Sequence, residues 1–374
     1  MQLSVIILNY NVRYFLEQCV LSVQKALEGI DSEIIVIDNA SSDDSCEMMK
    51  TKFPHIKLIE NEANLGFPKG NNIGVAQAKG EYICILNPDT VVAEDTFSKI
   101  LNSQLVTRNS QLGIIGCKLI DGSGNFLPES KRGVPTPWVA FTKIFGLYKI
   151  SNYFGKYYAQ YLSENESGKV DILVGAFMMI KRELYLEVGG FDEDCFMYSD
   201  DIDLSYLVLK TGKSNYYFHE TSVIHYKGES TVRDGTYMKR FREAMQFFYK
   251  KHFKKSWFFD VMMQVGSFVF SLLKKNQQKN EVRIIDEYVV FSRGNLELNL
   301  SKKATYLPDF NQFENQSQKN IEIIFDTTTF SFAEIITFMQ LNKSKNLSFK
   351  NFISSSNYLI GSNNSNDRGQ IILL

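Results

Sequence analysis

Short apolar runs alternate with segments of helical spacing along the first ninety residues of the chain. Runs of strand length are Leu3–Leu8, Glu33–Ile37, Ile56–Glu60 and Glu81–Leu86, and segments with a helical pattern are Val12–Leu27, Ser42–Lys52 and Asn72–Ala78. Strands that alternate with helices in this way predict a mainly parallel sheet with crossover connections. We therefore expect an α/β fold with helices flanking the sheet.

Polar clusters follow three of these strands at the point where each strand ends. The clusters are "NYN" (9–11), "DNASSDDS" (38–45) and "NPDT" (87–90). One such turn by itself more often only reverses the chain. Because the carboxyl ends of parallel strands meet at one edge of a sheet, three of them together outline a crevice where a ligand binds.

A glycine- and asparagine-rich loop, "NLGFPKGNNIG" (64–74), precedes one of the predicted helices. Such a loop brings backbone N–H groups close to a phosphate or a sugar. It is not a G-x-G-x-x-G fingerprint, and no G-x-x-x-x-G-K-[ST] motif occurs, so the dinucleotide and P-loop classes lack their motifs.

A second group of acidic residues lies farther along the chain. Val170–Ile180 reads as an apolar strand broken by Gly175 and Ala176, and Arg182–Val188 reads as a short helix. Asp200, Asp201 and Asp203 then come just before a helical run. One of them suffices as a helix cap. Three repelling carboxylates point to a metal, a cationic ligand or a hydroxyl to deprotonate.

The composition of the chain limits which classes of protein and which cell compartments are expected. Among 374 residues, 41 basic residues face 42 acidic ones, and this balance argues against a nucleic-acid binder. The five cysteines include no C-x-x-C pair, which argues against a disulfide framework or a zinc site. The amino terminus lacks a basic leader, so we expect a cytoplasmic protein.

The remaining segments show weaker patterns. Residues 122–137 predict either a mobile loop over an active site or an ordinary surface loop. The stretch "WFFDVMMQVGSFVFSLL" (257–273), with lysines on both flanks, favours an interfacial helix on an anionic membrane over a bilayer span or a soluble helix. Beyond residue 282, "IEIIFD", "SFAEIITFMQL" and "YLIG" predict a small βαβ unit of unknown role. We expect a main domain (1–250), a membrane-associating helix (251–281) and a small α/β extension (282–374).

Six motifs, in order, resemble family 2 of the inverting glycosyltransferases, which have the GT-A fold. They are "SVIILNYN", "VIDNASSDDS", "NLGFPKGNNIG", "GEYICILNPDT", "VGAFMMIKRELYLEVGGFDEDCFMYSDDIDL" and "VIHYKGEST". Within the family, the chain is similar to bacterial rhamnosyltransferase-like enzymes of cell-surface polysaccharide assembly. The resemblance implies a nucleotide-diphosphate sugar donor, such as dTDP-rhamnose or a UDP-sugar, and a divalent cation, Mg²⁺ or Mn²⁺. It also implies a lipid-linked or glycan acceptor at the inner face of the cytoplasmic membrane.

The resemblance assigns roles to individual residues. Nucleotide-sugar binding falls on Asn9, Tyr10, Asn11, Asp38, Asn39, Asn64, Gly66, Phe67, Gly70, Asn71 and Asn87. The metal ligands are Asp89 and His225, and the catalytic base is Asp201. Acceptor contacts or structural support fall on Gly175, Ala176, Asp192, Asp200 and Asp203.

The chain departs from the family pattern at three positions. Asn87 replaces the first carboxylate of the family's D-x-D motif, Asp200 replaces a Glu, and Leu207 stands where a basic residue often occurs. Without the resemblance, His225 is more often a core histidine than a ligand. Two alternatives therefore stay open, a sugar nucleotidyltransferase and a non-catalytic protein that binds sugar nucleotides.

Overall fold

The structure is a computed structural model. It describes residues 1–136, 138–139, 142, 146–227, 235–253, 283–315, 318–363 and 369–374. The described residues form two β-sheets, of nine and six strands. The first sheet lies within residues 1–227 and the second within residues 283–374.

The first sheet is parallel on one side and mixed on the other. Its strands are β1 (Leu3–Asn9), β2 (Ser32–Asp38), β3 (Lys57–Glu60), β4 (Tyr82–Leu86), β5 (Thr90–Val92), β6 (Leu112–Ile120), β7 (Gly168–Val170), β8 (Phe177–Lys181) and β9 (Ser214–His225). Their order is β3-β2-β1-β4-β8-β6-β9-β5, and β7 pairs with β9. The strands β3, β2, β1 and β4 are parallel, and β8 runs antiparallel to β4. The predicted fold class is confirmed.

Helices cover both faces of this sheet. They are α1 (Arg13–Ala26), α2 (Ser45–Lys52), α3 (Gly66–Ala76), α4 (Thr96–Leu101), α5 (Gln104–Arg108), α6 (Arg182–Glu187), α7 (Asp200–Lys210) and α8 (Gly235–His252). On α1, Leu16, Val20 and Val23 recur at helical spacing and are almost completely buried in the core cluster under the sheet. The sequence spacing therefore decides which face of α1 meets the sheet.

Three predicted boundaries are wrong. Helix α3 begins at Gly66, inside the predicted loop, because Asn64 Oδ1 accepts a hydrogen bond from Gly66 N (3.0 Å) and starts the turn. The run Val170–Ile180 forms two strands, since β7 pairs with β9 while β8 pairs with β4. Helix α7 includes the acidic cluster in its first turn, whereas the sequence placed the cluster before the helix.

The second sheet is also mixed. Its elements are β10 (Glu287–Phe291), β11 (Ala304–Leu307), β12 (Ile321–Asp326), α9 (Phe332–Leu341), β13 (Leu347–Ile353), β14 (Tyr358–Gly361) and β15 (Gln370–Leu373), in the strand order β11-β10-β12-β13-β14-β15. The predicted βαβ unit exists, but its second strand is β13. The predicted strand "YLIG" is β14, which runs antiparallel to β13. Buried Lys350 and Asn351 interrupt the apolar pattern of β13 and concealed it.

Two other segments bear on the site. In the loop from residue 122, Ser130, Lys131 and Arg132 are buried, and Lys131 Nζ donates to the carbonyl oxygens of Ala159 (3.1 Å) and Leu162 (2.6 Å). The described part of this loop is therefore packed into the protein and is not a simple surface loop. The predicted interfacial helix at 257–273 lies outside the described residues. Among those described, no helix is both long and apolar enough to cross a membrane.

Candidate active site

The side chains of Asp89 and His225 lie next to each other beside the turn that joins β4 to β5. Thr90 is paired with His225 in the antiparallel β5–β9 ladder, and Tyr226 N donates to Asp89 O (3.0 Å). This pairing places Asp89 Oδ1 3.4 Å from His225 Nε2, with both side chains less than a tenth exposed. Two residues that are far apart in sequence thus form one buried polar pair.

The donor atoms around this pair fit a divalent cation. A six-coordinate ion with ligand distances near 2.1 Å keeps neighbouring ligand atoms about 3 Å apart, close to the observed 3.4 Å. Asn87 Oδ1 and His225 Nδ1 are also buried, and no described residue is hydrogen-bonded to either atom. The described residues contain no cluster of three or more His, Cys, Asp or Glu side chains suited to a metal. Substrate phosphates and water would supply the remaining ligands, as is usual for Mg²⁺.

Asp201 is held by a buried arginine that sequence reasoning missed. Arg132 Nη2 donates to Asp201 Oδ2 (2.5 Å), and Gly175 N donates to the same oxygen (3.1 Å). Among the described residues, no hydrogen bond reaches Asp201 Oδ1. Burial alone would lower the pKa of the Arg132 guanidinium, but Asp201, together with Tyr157 and Glu129, outweighs burial and holds that pKa above its ordinary value. Asp201 therefore has one fixed oxygen and one that is available to accept a proton.

The segment Gly175–Ala176 joins the two acidic positions. Its Gly175 N–H binds Asp201, and its Ala176 carbonyl oxygen accepts from Asn87 N (3.1 Å), two residues before Asp89. A Cβ atom on Gly175 would lie 3.5 Å from both the Cβ of Asp201 and the ring of Phe67. These distances are ordinary van der Waals contacts, so a methyl group at position 175 would fit beside Asp201 and Phe67. Asp89 and Asp201 thus flank one short stretch of backbone.

Asp200 lies beside Asp201 with a strongly perturbed carboxyl group. Burial, and then the neighbouring charge of Asp201, raise the pKa of Asp200 to about 7. Well below its ordinary pKa of 3.8 the group is neutral in both the folded and the unfolded chain, so its burial costs no stability there. As the pH rises towards 7, only the unfolded chain ionises, and the folded state loses stability.

We predict that Asp200→Asn raises the unfolding temperature at pH 8 and leaves it nearly unchanged at pH 4. The gain should be at most a few kcal/mol, since one pKa unit corresponds to about 1.4 kcal/mol. Differential scanning calorimetry across this pH range measures the effect. A variant that is destabilised at pH 8 would contradict this description of the buried carboxyl pair.

Removing the guanidinium of Arg132 should leave Asp201 as an uncompensated buried charge. We expect Arg132→Met to lower the free energy of unfolding by about 3–5 kcal/mol, as for other broken buried pairs. Urea titration measures this loss, and the double variant Arg132→Met/Asp201→Asn should recover most of it. Lys131→Met is the control, because Lys131 binds carbonyl oxygens and its loss should add to that of Asp201→Asn. If the losses of unfolding free energy from Arg132→Met and Asp201→Asn simply added, the proposed pairing would be contradicted.

The residues predicted to hold the nucleobase form a tight network at the ends of β1 and β2. Asp38 is 2% exposed, and its carboxylate accepts from Asn9 Nδ2 (2.7 Å), Ser41 N (2.8 Å) and Ser41 Oγ (2.7 Å). Asn11 adopts a positive φ of 56°, and its Oδ1 accepts from Ser42 N (2.7 Å). Tyr10 is half-buried beside them. Asp38 shapes this edge of the sheet, and its contact with a base remains a prediction.

The start of α3 is fastened to the same edge. Asn39 Nδ2 donates to Gly66 O (3.1 Å) and to Asn64 Oδ1 (3.3 Å). Phe67 N donates to Phe196 O (3.0 Å), and Gly66 has a φ of +81° with Phe196 O 2.8 Å from where its Cβ would stand. A side chain at residue 66 would therefore be strained and would collide with backbone.

Farther along α3, small and polar residues face the interior. A Cβ atom on Gly70 would lie 2.4 Å from Leu8 Cδ1, so a larger residue there would require the Leu8 side chain to move. Asn71 Nδ2 donates to Phe67 O (2.9 Å), while Asn71 Oδ1 is buried without a partner among the described residues. An unsatisfied buried amide oxygen is costly unless a ligand or water satisfies it.

Asp203 and Asp192 bind helix α8. Asp203 Oδ2 accepts from Lys251 Nζ (2.8 Å), and Asp203 Oδ1 lies 2.5 Å from His252 Nε2. Lys251 Nζ also donates to Asp192 (2.5 Å). Both carboxylate oxygens of Asp203 therefore bind side chains of α8, and Asp203 holds α8 against α7. Next to these ion pairs, Asn72, Gly189, Gly190, Phe191, Asp192, Glu193, Leu207 and Lys251 line part of an open cleft of about 410 Å³.

Comparisons with known proteins give a consistent family. Residues 4–204 match the family described as "Glycosyl transferase family 2". The chain is 27% identical over 243 residues to the N-acetylglucosaminyl-diphospho-decaprenol L-rhamnosyltransferase of Mycobacterium tuberculosis, covering 62% of this chain and 78% of that protein. It is 26% identical over 193 residues to a poly-beta-1,6-N-acetyl-D-glucosamine synthase of Staphylococcus epidermidis, covering 50% and 41% of the two chains. A solved mannosyltransferase from Pyrobaculum calidifontis, in complex with GDP-Man and Mn²⁺, aligns over 74% of this chain and 76% of its own, with 16% identity and a TM-score of 0.49.

Proposed function

Because the chain belongs to glycosyl transferase family 2, we propose that it moves a sugar, with inversion, from a nucleotide-diphosphate donor to a hydroxyl of a lipid-linked glycan. The observation that carries this proposal is the placement of Asp201 and the Asp89–His225 pair on the two sides of Gly175–Ala176. The relative from Mycobacterium tuberculosis is named for rhamnosyl transfer to a lipid diphosphate. That name supports a deoxyhexose donor and a lipid-linked acceptor here.

Asp201 is the proposed base of the transfer. The acceptor oxygen forms a bond to the anomeric carbon as that carbon loses its bond to the phosphate oxygen, and the hydroxyl proton passes to Asp201 Oδ1. Arg132 and Gly175 hold the other carboxylate oxygen, so Oδ1 keeps a fixed direction. An inverting displacement needs one such base and no carboxylate nucleophile.

Asp89 and His225 would hold the divalent cation, with Asn87 beside them. The cation supplies neutralisation of the charge that grows on the departing diphosphate. Asp89 directly precedes β5 and His225 ends the adjacent strand β9, and the hydrogen bond from Tyr226 N to Asp89 O joins the two backbones there. The protein therefore fixes the separation of the two side chains before any ligand binds, which reduces the ordering cost of binding.

The protein surface near Arg132 supports a position at an anionic membrane. Residues 133–163 contain three Lys residues and no Asp or Glu, and Lys156 among them is exposed. Trp138 (56% exposed), Ile150 (78%) and Tyr161 (62%) present large apolar side chains from the described part of this stretch. Aromatic and basic residues together favour the membrane interface. A peripheral position on the cytoplasmic face would bring a lipid-linked acceptor to the site.

Nucleotide binding followed by product analysis tests the proposal. A thermal-shift screen uses UDP, GDP and dTDP, each with and without Mn²⁺. One of these nucleotides should raise the unfolding temperature, and the rise should be larger when Mn²⁺ is present. The matching nucleotide sugar should then give a product whose anomeric configuration, measured by NMR, is inverted. Release of pyrophosphate from a nucleoside triphosphate would instead favour a nucleotidyltransferase. Nucleotide-sugar binding without turnover would favour a non-catalytic binding protein.

A further inference from the structure

The second sheet and helix α9 lie against β5, which directly follows Asp89, and against β9, which ends at His225. We propose that this C-terminal unit, residues 283–374, is a positioning element that keeps the two metal ligands at their required separation. The inference rests on the proposed function, because it takes Asp89 and His225 as ligands of a divalent cation. The family match ends at residue 204 and assigns no role to this unit.

Strand β5, which directly follows Asp89, has little support from its own sheet. It contains three residues and is paired only with β9 among the described strands. Val91 of β5 and Ile224 of β9 are completely buried in a hydrophobic cluster that also contains Phe332 and Ile335 of α9 and Phe349 of β13. A short edge strand is weakly held by its backbone hydrogen bonds alone. Val91, on one face of β5, therefore packs against the C-terminal unit, while Val92, on the other face, packs in the core of the first sheet and donates its N–H to Ser22 Oγ of α1 (3.2 Å).

A charged contact ties the end of β5 to α9. Glu94, two residues beyond β5, accepts hydrogen bonds from Phe332 N (2.8 Å) and Ala333 N (2.9 Å), one on each carboxylate oxygen. These N–H groups belong to the first turn of α9 and have no partner within the helix. The positive end of the helix dipole strengthens such a contact. The Glu94 carboxylate therefore caps the amino terminus of α9.

A second contact reaches the residue next to the other ligand. Asn351 Nδ2 of β13 donates to Tyr226 Oη (3.2 Å), and Tyr226 directly follows His225. The Tyr226 ring also packs edge-on against Phe15 at 5.3 Å. The C-terminal unit therefore contacts Tyr226, the residue that follows His225, and Glu94, which lies five residues after Asp89.

Other contacts hold the unit in place over a wide area. Lys25 Nζ of α1 donates to Thr327 O (2.9 Å), and Tyr358 Oη donates to Tyr14 O (2.9 Å). Because of these contacts, loss of Glu94 alone should not release the unit. It should loosen β5 locally, so that the effect appears in the separation of the ligands and not in the overall fold.

Manganese binding to the full chain tests the inference. We expect Glu94→Ala to weaken Mn²⁺ affinity, measured by EPR of free Mn²⁺, by about tenfold, the low end of what changes around metal ligands cost. The affinity for UDP, used as a probe without metal, should stay at the wild-type value. Asp95→Ala is the matched control, because Asp95 is adjacent but pairs with Lys99 (2.8 Å) within the first unit. Glu94→Gln, which keeps one acceptor oxygen, should give an intermediate Mn²⁺ affinity.

Asn351→Ala provides an independent test from the opposite unit and should also weaken Mn²⁺ binding. Wild-type Mn²⁺ affinity in both Glu94→Ala and Asn351→Ala would overturn the positioning role, even if both variants unfold at a lower temperature. That result would leave the proposed transfer reaction intact. Absence of Mn²⁺ binding in the wild-type protein, with or without UDP, would overturn the metal site and with it this inference.

Discussion

Replacing Asp201 with Asn should slow sugar transfer by orders of magnitude while leaving nucleotide binding intact. The amide keeps the shape of the side chain but cannot take the proton of the acceptor hydroxyl. A positioned general base contributes about 10²–10⁴-fold to the rate, so kcat should fall by that factor. Transfer kinetics with the donor identified by the nucleotide screen, together with nucleotide affinity by calorimetry, measure both parts of the prediction.

Asp200→Asn is the matched control for this substitution. Both carboxylates lie in the first turn of α7, but only Asp201 is bound by Arg132 and Gly175. We expect Asp200→Asn to reduce kcat far less than Asp201→Asn does. The reverse order, with Asp200 essential and Asp201 replaceable, would show that the base has been assigned to the wrong carboxyl group.

Asp89→Asn should remove the charged anchor of the cation and suppress transfer about 10²–10³-fold. Lewis-acid stabilisation is worth several kcal/mol, and each 1.36 kcal/mol corresponds to a factor of ten. The variant should need much more Mn²⁺ for half-maximal rate, because an amide oxygen binds the cation less strongly than a carboxylate. Initial rates as a function of Mn²⁺ concentration provide the measurement.

Two further variants check that this effect belongs to the metal site. His225→Ala should also raise the Mn²⁺ requirement, since His225 Nε2 lies 3.4 Å from Asp89 Oδ1. Asp95→Asn removes a carboxylate a few residues away, whose partner is Lys99, and should leave the Mn²⁺ requirement unchanged. An unchanged Mn²⁺ dependence in Asp89→Asn would exclude Asp89 as a ligand.

The sequence predicted the parallel part of the first sheet well because local signals agree there. The strands β1, β2 and β4 are short apolar runs closed by polar turns, and α1 carries its apolar residues at helical spacing. The fold class alone predicts that the polar turns lie at one edge of the sheet, because the carboxyl ends of parallel strands lie at the same edge. For that reason Asn9, Asp38 and Asp89 could be grouped from the sequence.

What the sequence could not predict depends on partners that are distant in the chain. Arg132 and Lys131 are adjacent basic residues, yet one binds a carboxylate and the other binds carbonyl oxygens. No feature of the neighbouring sequence distinguishes the two roles. Strand β13 was missed because its buried Lys350 breaks the apolar pattern, and Glu322 of the neighbouring strand lies 3.6 Å away. The contact of Glu94 with α9 joins positions 238 residues apart.

The most direct test of this account is a crystal structure of the protein with Mn²⁺ and the nucleoside diphosphate that stabilises it. We predict a manganese anomalous peak at coordinating distance from Asp89 and His225, with Asp201 Oδ1 facing the same pocket across Gly175–Ala176. A manganese peak bound elsewhere, or a nucleotide on a face of the protein from which Asp201 cannot be reached, would contradict the account.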